Sequence, residues 1–219
     1  MDIGILGGSF NPVHNGHLRL GVEVLEQVGL DRVDFVPAAV PPHKQRQTVS
    51  PFAFRRRLLE KALLGRKGYR VNPIEGQRSG PSFTVDTLSS YQAQDPDASL
   101  HFIMGGRDFI TLPEWHQWQT LLELSHFVVV SRQGISSARI QDFILDLWPD
   151  TQTVSDNPIR WRLPIGACVV YLTIPRLDIS SSMVRSRLRQ GRSLAALVPE
   201  SLEAELKSHA HLFGPEVSE

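Results

Sequence analysis

The residues best suited to chemistry stand near the start of the chain, in Gly7-Gly8-Ser9-Phe10-Asn11-Pro12-Val13-His14-Asn15-Gly16-His17. Histidines at positions 14 and 17, set on one helical turn, point the same way. Their N–H groups can donate to phosphate oxygens as charge builds on them in a transition state. Gly16, with no Cβ, lets a phosphate come close to the backbone. The flanking elements suit that task. Ile3-Gly4-Ile5-Leu6 reads as a buried strand, and Leu18, Leu20, Val22, Val24, Leu25 and Val28 are spaced as on a helix that buries most of one side. Strand, glycine-bearing loop and helix start, in that order, bring backbone N–H groups and the positive end of a helix dipole together, where an anion can be held. In isolation the same two histidines would equally well cap a helix or coordinate a metal.

A second such constellation lies far along the chain in Asp178-Ile179-Ser180-Ser181-Ser182-Met183-Val184-Arg185. Hydroxyls and N–H groups at a helix start, with an arginine one turn in, form another cradle for phosphate, and the guanidinium can give two hydrogen bonds to one phosphate group. Arg187, Arg189 and Arg192 read as a solvated face. Lys44, in Pro41-Pro42-His43-Lys44, could carry an ammonium to a triphosphate, although a lysine read alone is a surface residue.

The elements that must position these residues alternate between short apolar runs and helical patterns, which predicts βαβ units and a parallel sheet. Strands are expected at Val33–Pro37, Tyr69–Asn72, Leu100–Met104, Phe127–Val130 and Val169–Leu172. Helices are expected from Pro51, with Phe52, Leu59 and Leu63 on one face, from a Ser82 cap through Val85, Leu88 and Tyr91, and over Ser136–Trp148, Ser181–Arg189 and Pro199–His209. The polar stretch Asp150–Arg162 reads as a surface excursion. At 219 residues the chain is expected to form a single α/β domain over 1–219, with the helices from about 180 packed on it. Its 23 basic and 23 acidic side chains cancel, so nothing general argues for nucleic acid or an anionic membrane as partner. Cys168, the lone cysteine, reads as a buried strand thiol and fits a reducing cytoplasm. No run approaches the roughly 20 apolar residues that span a bilayer and no signal peptide precedes the first strand, so a soluble, cytoplasmic protein is expected. Monomer and homo-oligomer both stay open.

His14-Asn15-Gly16-His17 resembles the His-x-Gly-His element of the nucleotidylyltransferase superfamily, and Ile179 to Arg185 its second signature, Ile-Ser-Ser-Thr-x-Ile-Arg, with Ser182 for Thr and Val184 for Ile. Three further segments resemble the nicotinate mononucleotide adenylyltransferase family: Pro42-His43-Lys44 its Pro-His-Lys loop, Ser82-Phe83-Thr84-Val85-Asp86-Thr87-Leu88 its Ser-Tyr-Thr-x-x-Thr-Leu element, and Leu112-Pro113-Glu114-Trp115 its Leu-Pro-x-Trp segment. Asn11 departs from the family's usual Asp, and Gln133 after Arg132 from its Pro. The interval from Gly106-Arg107-Asp108 to Trp115 is one residue short, which leaves either Arg107 or Asp108 at the ribose-contacting position.

The resemblance implies a doubly wound, Rossmann-like α/β nucleotidylyltransferase fold in which ATP contacts Gly7, Gly8, Ser9, Phe10, Gly16, Gly105, Asp108, Ile179, Ser180 and Ser181. It implies that Asn11, Ser82, Thr84 and Trp115 meet nicotinate mononucleotide, with the indole of Trp115 on the pyridine ring. His14, His17, Lys44 and Arg185 would stabilise charge, with magnesium carried by ATP rather than by protein ligands and no covalent enzyme intermediate. The expected reaction joins ATP and nicotinate mononucleotide to give deamido-NAD and pyrophosphate. Its rivals are a transferase acting on phosphopantetheine or glycerol phosphate, and a non-catalytic nucleotide-binding module. A nicotinamide-dependent oxidoreductase would need a Gly-x-Gly-x-x-Gly after the first strand, and that is missing.

Overall fold

Strands whose successive residues are all buried have both faces covered, as in parallel sheets flanked by helices. That is the condition of β1 (Asp2–Gly8) through Ile3 to Leu6, of β2 (Arg32–Pro37), and further on of β5 (His126–Ser131) and β8 (Cys168–Thr173). The others are β3 (Tyr69–Val71), β4 (Ser99–Gly105), β6 (Gln152–Asp156) and β7 (Ile159–Arg162). In the computed structural model, which describes residues 1–41, 49–131, 135–175 and 177–213, they form an eight-stranded sheet in the order β3-β2-β1-β4-β5-β8-β7-β6. The pairs β1–β4, β4–β5 and β5–β8 are parallel, with Ile5 beside Phe102, Met104 beside Val129 and Val129 beside Tyr171. Strand order reverses at β1, which has β2 on one side and β4 on the other; open α/β sheets bind ligands at such reversals, beyond the carboxyl ends of the strands.

The segment predicted as a surface excursion is instead a hairpin. β7 pairs antiparallel with β8, placing Trp161 beside Val169, and β6 pairs antiparallel with β7. Its polar composition belongs to an edge: Gln152, Thr153 and Val154 are exposed along β6, whereas Trp161 on β7 is buried.

The predicted helices are present as α1 (Asn15–Val28), α2 (Phe52–Leu63), α3 (Thr84–Gln94), α6 (Ser137–Leu147), α7 (Ser181–Arg189) and α8 (Glu200–Ser208), with two short ones, α4 (Gly106–Ile110) and α5 (Trp118–Leu124), not foreseen. Ser136 caps α6 by accepting from the Arg139 N–H. Ser82 does not cap α3. Phe83 takes the cap position, and the Ser82 hydroxyl accepts instead from the N–H groups of Ala39 and Val40 at 3.0 and 3.1 Å, partners more than forty residues away that helix spacing cannot foresee.

The chain divides into two compact units built from interleaved segments. One comprises Met1–Leu6, Val22–Val33 and Phe83–Arg176; the other Gly7–Gly21, Asp34–Ser82 and Leu177–Glu219. In the first, Phe102, Phe109 and Phe127 pack edge to face in the core. In the second, Glu205 of α8 pairs with Arg57 and Lys61 of α2, and Phe213 packs on Phe54. No helix among the described residues is long and apolar enough to cross a membrane.

At the starting end of β1, β4 and β5, His101 Nε2 lies 3.0 Å from Asp2 Oδ1 and the His101 and His126 rings are 5.1 Å apart. Burial holds both histidines below the ordinary value of 6.5, outweighing the pull of Asp2, while the hydrogen bond to His101 holds Asp2 low. Lowered histidine values mean that the unfolded chain takes up protons first as the pH falls, so stability is complete at neutral pH and declines on acidification through about 6.5. The urea midpoint is therefore expected to be lower at pH 5.5 than at 7.5, and the difference to shrink in His101→Gln; an equal difference in both proteins would contradict this assignment. Cys168 opens β8 and is half-buried rather than buried, its N–H donating to His126 Nδ1.

Candidate active site

The second unit contains both candidate phosphate-binding constellations, and hydrogen bonds join them. Between β1 and α1, the carbonyls of Gly8, Ser9, Asn11 and Pro12 accept respectively from Ala38 N, Arg55 Nη1, Arg185 Nη1 and Ser181 Oγ, at 2.7 to 2.9 Å. Each donor comes from another segment, and the last two come from α7. The loop's carbonyl oxygens are thus turned into the protein. A trans peptide directs its N–H opposite to its C=O, so the Ser9, Phe10 and Val13 N–H groups point away from those donors.

His14 precedes α1, and its backbone N–H donates to His17 Nδ1 at 3.3 Å, so the Nδ1 of His17 is the acceptor and its proton sits on Nε2. This is a capping contact of the kind in which a side chain in the first turn reaches back to the N–H before the helix. Capping and catalysis are therefore compatible for His17: one nitrogen fixes the ring and the other remains a donor. The two imidazoles stack with centroids 3.7 Å apart. Gly16 has a reason beyond an approaching phosphate, since a Cβ there would lie 3.0 Å from His14 Nδ1 and 3.5 Å from the Ile179 carbonyl.

Phe10 is buried, with its ring edge-on to His17 at 5.0 Å, and its backbone adopts a left-handed φ of 43° that is uncommon for a bulky residue. Its side chain belongs to the core. Asn11 is also buried, and its Oδ1 accepts from both the N–H and the hydroxyl of Ser50. Ser180 caps α7 by accepting from the Met183 N–H, which leaves the Ser181 and Ser182 N–H groups at the helix start, and Arg185 braces Ser182 Oγ through Nη2. Lys44 lies outside the described residues, as does Arg132.

Arg55 escapes a reading of the sequence, where Arg55-Arg56-Arg57 looks like a charged surface run. It is 1% exposed, and it donates to the carbonyls of Ser9, Ser50 and Ala39 at 2.7, 2.8 and 3.5 Å. Burial pushes its pKa down to about 10, partly offset by the Glu75 carboxylate, so it stays charged at neutral pH. The available signal is its spacing of three, four and seven residues from Leu58, Leu59 and Ala62, the buried stripe of α2.

In the first unit, Thr84 opens α3 and Trp115 follows the short 3-10 turn Leu112–Glu114. The neighbouring Phe83 and His116 rings stack at 4.3 Å, which brings the Trp115 segment to the start of α3, and the half-buried Trp115 ring meets Phe102 edge-on. Gly105 caps α4, and Asp108 Oδ2 folds back to 3.1 Å from where a Gly105 Cβ would stand. Asp108 rather than Arg107 therefore brings an acceptor to the end of β4. Among the described residues, no group of three or more His, Cys, Asp or Glu side chains is arranged to hold a metal ion.

Residues 5–187 match the cytidylyltransferase-like family. Over 211 residues, covering 95% of this chain and 96% of the relative, the sequence is 37% identical to a protein of Dehalococcoides mccartyi named a probable nicotinate-nucleotide adenylyltransferase. A second relative of that name, from Pelobacter propionicus, is 37% identical over 94% of this chain and 96% of its own. The chain belongs to the nicotinate-nucleotide adenylyltransferase family. The family's fold is matched as well: Plasmodium falciparum nicotinic acid mononucleotide adenylyltransferase, solved with NaAD, superimposes with a TM-score of 0.72 over 96% of this chain and 97% of that one, at 16% identity. This family member is an α/β nucleotidyltransferase with both superfamily signatures, and its second unit fastens them to each other.

Proposed function

We propose that the chain transfers the adenylyl group of ATP to nicotinate mononucleotide, releasing pyrophosphate and forming deamido-NAD. The single observation that carries this reading is the loop of His14 and His17 held by Ser181 and Arg185 of α7, in a chain whose near-full-length relatives bear that activity's name. A phosphate oxygen of the mononucleotide attacks the α-phosphorus of ATP, the bond to the bridging oxygen breaks, and pyrophosphate leaves with the electron pair. The attacking oxygen is already anionic, so no general base is needed. What remains is alignment and charge stabilisation.

In this reading the N–H groups of the phosphate loop and of the α7 start hold triphosphate oxygens together with Gly7, Gly8, Gly16, Ile179, Ser180 and Ser181. The His17 Nε2–H and the Arg185 guanidinium meet the charge that develops, with His14 stacked behind His17. Gly105 and Asp108 receive the adenosine ribose. Thr84 and Trp115 take the mononucleotide, and Asn11 and Ser82 support it indirectly, since their side chains are engaged with Ser50 and with Ala39 and Val40. In this reading magnesium arrives with the substrate, as the counter-ion of ATP. A cytoplasmic location accords with these substrates.

The test is pyrophosphate release from ATP with nicotinate mononucleotide, nicotinamide mononucleotide, phosphopantetheine and glycerol phosphate as acceptors. Deamido-NAD formation is expected; release with phosphopantetheine or glycerol phosphate but not with either pyridine mononucleotide would overturn the reading. In the same assay Trp115→Ala is expected to raise KM for the mononucleotide about tenfold, the loss of a ring stacked on a charged pyridine, with KM for ATP unchanged. A rise in KM for ATP alone would remove Trp115 from the mononucleotide's binding site.

A further inference from the structure

The catalytic loop is gripped from two sides. Arg185 and Ser181 hold it at Asn11 and Pro12, and Arg55 holds it at Ser9 from α2. The same guanidinium also binds the carbonyls of Ser50 and Ala39, and Ser50 in turn binds Asn11 Oδ1. One planar fork thus connects the phosphate loop to the segment after β2 and the segment before α2. Only a guanidinium presents donors in that divergent geometry; an ammonium on a flexible stem would satisfy one acceptor well and leave the others.

The three carbonyl bonds and the Glu75 carboxylate do little more for net stability than offset the cost of burying the guanidinium, which shows in its lowered pKa. What Arg55 does achieve is orientation. It draws the Ser9 carbonyl inward, and the N–H of the same peptide, on Phe10, is turned to the opposite side. Phe10 stands at a left-handed φ that this peptide would not adopt unaided, and its ring abuts His17.

We propose that Arg55 is a positioning residue for adenylyl transfer, which sets the direction of the Phe10 N–H and the seat of His17 by holding the Ser9 carbonyl without touching substrate. The inference rests on the reading of the phosphate loop given above. Misplacement of catalytic groups by about an ångström costs up to roughly a hundredfold in rate, so Arg55→Met is expected to lower kcat by about ten- to a hundredfold. The loss of three carbonyl bonds is expected to lower its melting temperature as well, while KM for nicotinate mononucleotide of the folded protein should change less than threefold. Arg55→Lys, which keeps the charge but loses the fork, is expected to recover only a small part of kcat.

The measurement is kcat and KM for both substrates at a temperature where circular dichroism shows each variant folded, with the parent enzyme alongside. A folded Arg55→Met or Arg55→Lys with kcat within threefold of the parent overturns the proposal. So does failure of both variants to fold, because Arg55 would then be a folding residue. If the parent itself makes no deamido-NAD, it is the functional reading that falls, and the two failures are told apart in one experiment.

Discussion

His17→Ala is expected to lower kcat by about a hundred- to a thousandfold, the range found when one preorganised donor to a developing oxyanion is removed. Nicotinate mononucleotide affinity should stay nearly intact, because the ring acts on charge that appears only as the α-phosphorus is attacked. The His14 N–H bonded to Nδ1 fixes which nitrogen carries the proton, so the donor is in place before substrate arrives. The substitution also removes that capping contact, at roughly 0.5–1 kcal/mol of stability. A loss of stability of this size lowers the melting temperature by a few degrees but not the turnover of folded enzyme, so kcat and a thermal melt separate the two effects. Unchanged turnover would show that His17 is a cap and nothing more.

Arg185→Ala should be as severe and differ in kind. Arg185 meets two acceptors, the Asn11 carbonyl and Ser182 Oγ, at 2.9 and 3.0 Å. Under the proposed function its removal takes a cation from the triphosphate, and it leaves the carbonyl of a buried residue without that donor, a loss of about 1–3 kcal/mol. The expected result is a fall in kcat/KM for ATP of about two to three orders of magnitude together with a lower urea midpoint. Arg185→Lys should recover little, since one ammonium cannot span both acceptors. If His17 and Arg185 act on the same charge, as proposed, the double mutant should fall by less than the product of the single effects. Strict multiplication of the two losses would mean that they serve separate steps.

What could be read from the sequence divides along physical lines. Elements with strong periodicity or long apolar runs follow expectation, α7 to the residue, and so does the joining of the two distant helix-start segments, Ser181 and Arg185 bonding the loop before His14. The β6–β7 hairpin is hidden because an edge strand with one wet side is as polar as a loop. Ser82 is misread because a hydroxyl at a helix start looks the same whether it bonds its own helix or the backbone at Ala39 and Val40. Arg55 is masked by its neighbours Arg56 and Arg57, and only its register with Leu58, Leu59 and Ala62 betrays that it points inward. Asp108 and Arg107 cannot be told apart by spacing, because the shortened interval to Trp115 allows either register; α4 turns the Asp108 carboxylate back towards Gly105.

The bonds from Arg185 to Asn11 and from Ser181 to Pro12 span 174 and 169 residues of chain. The α7 clasp is synthesised about 170 residues after the loop it holds, so under the proposed function a nascent chain completes its site only once helix α7 has left the exit tunnel. Fragments that end before α7 are therefore expected to lack adenylyl transfer however well their sheet forms.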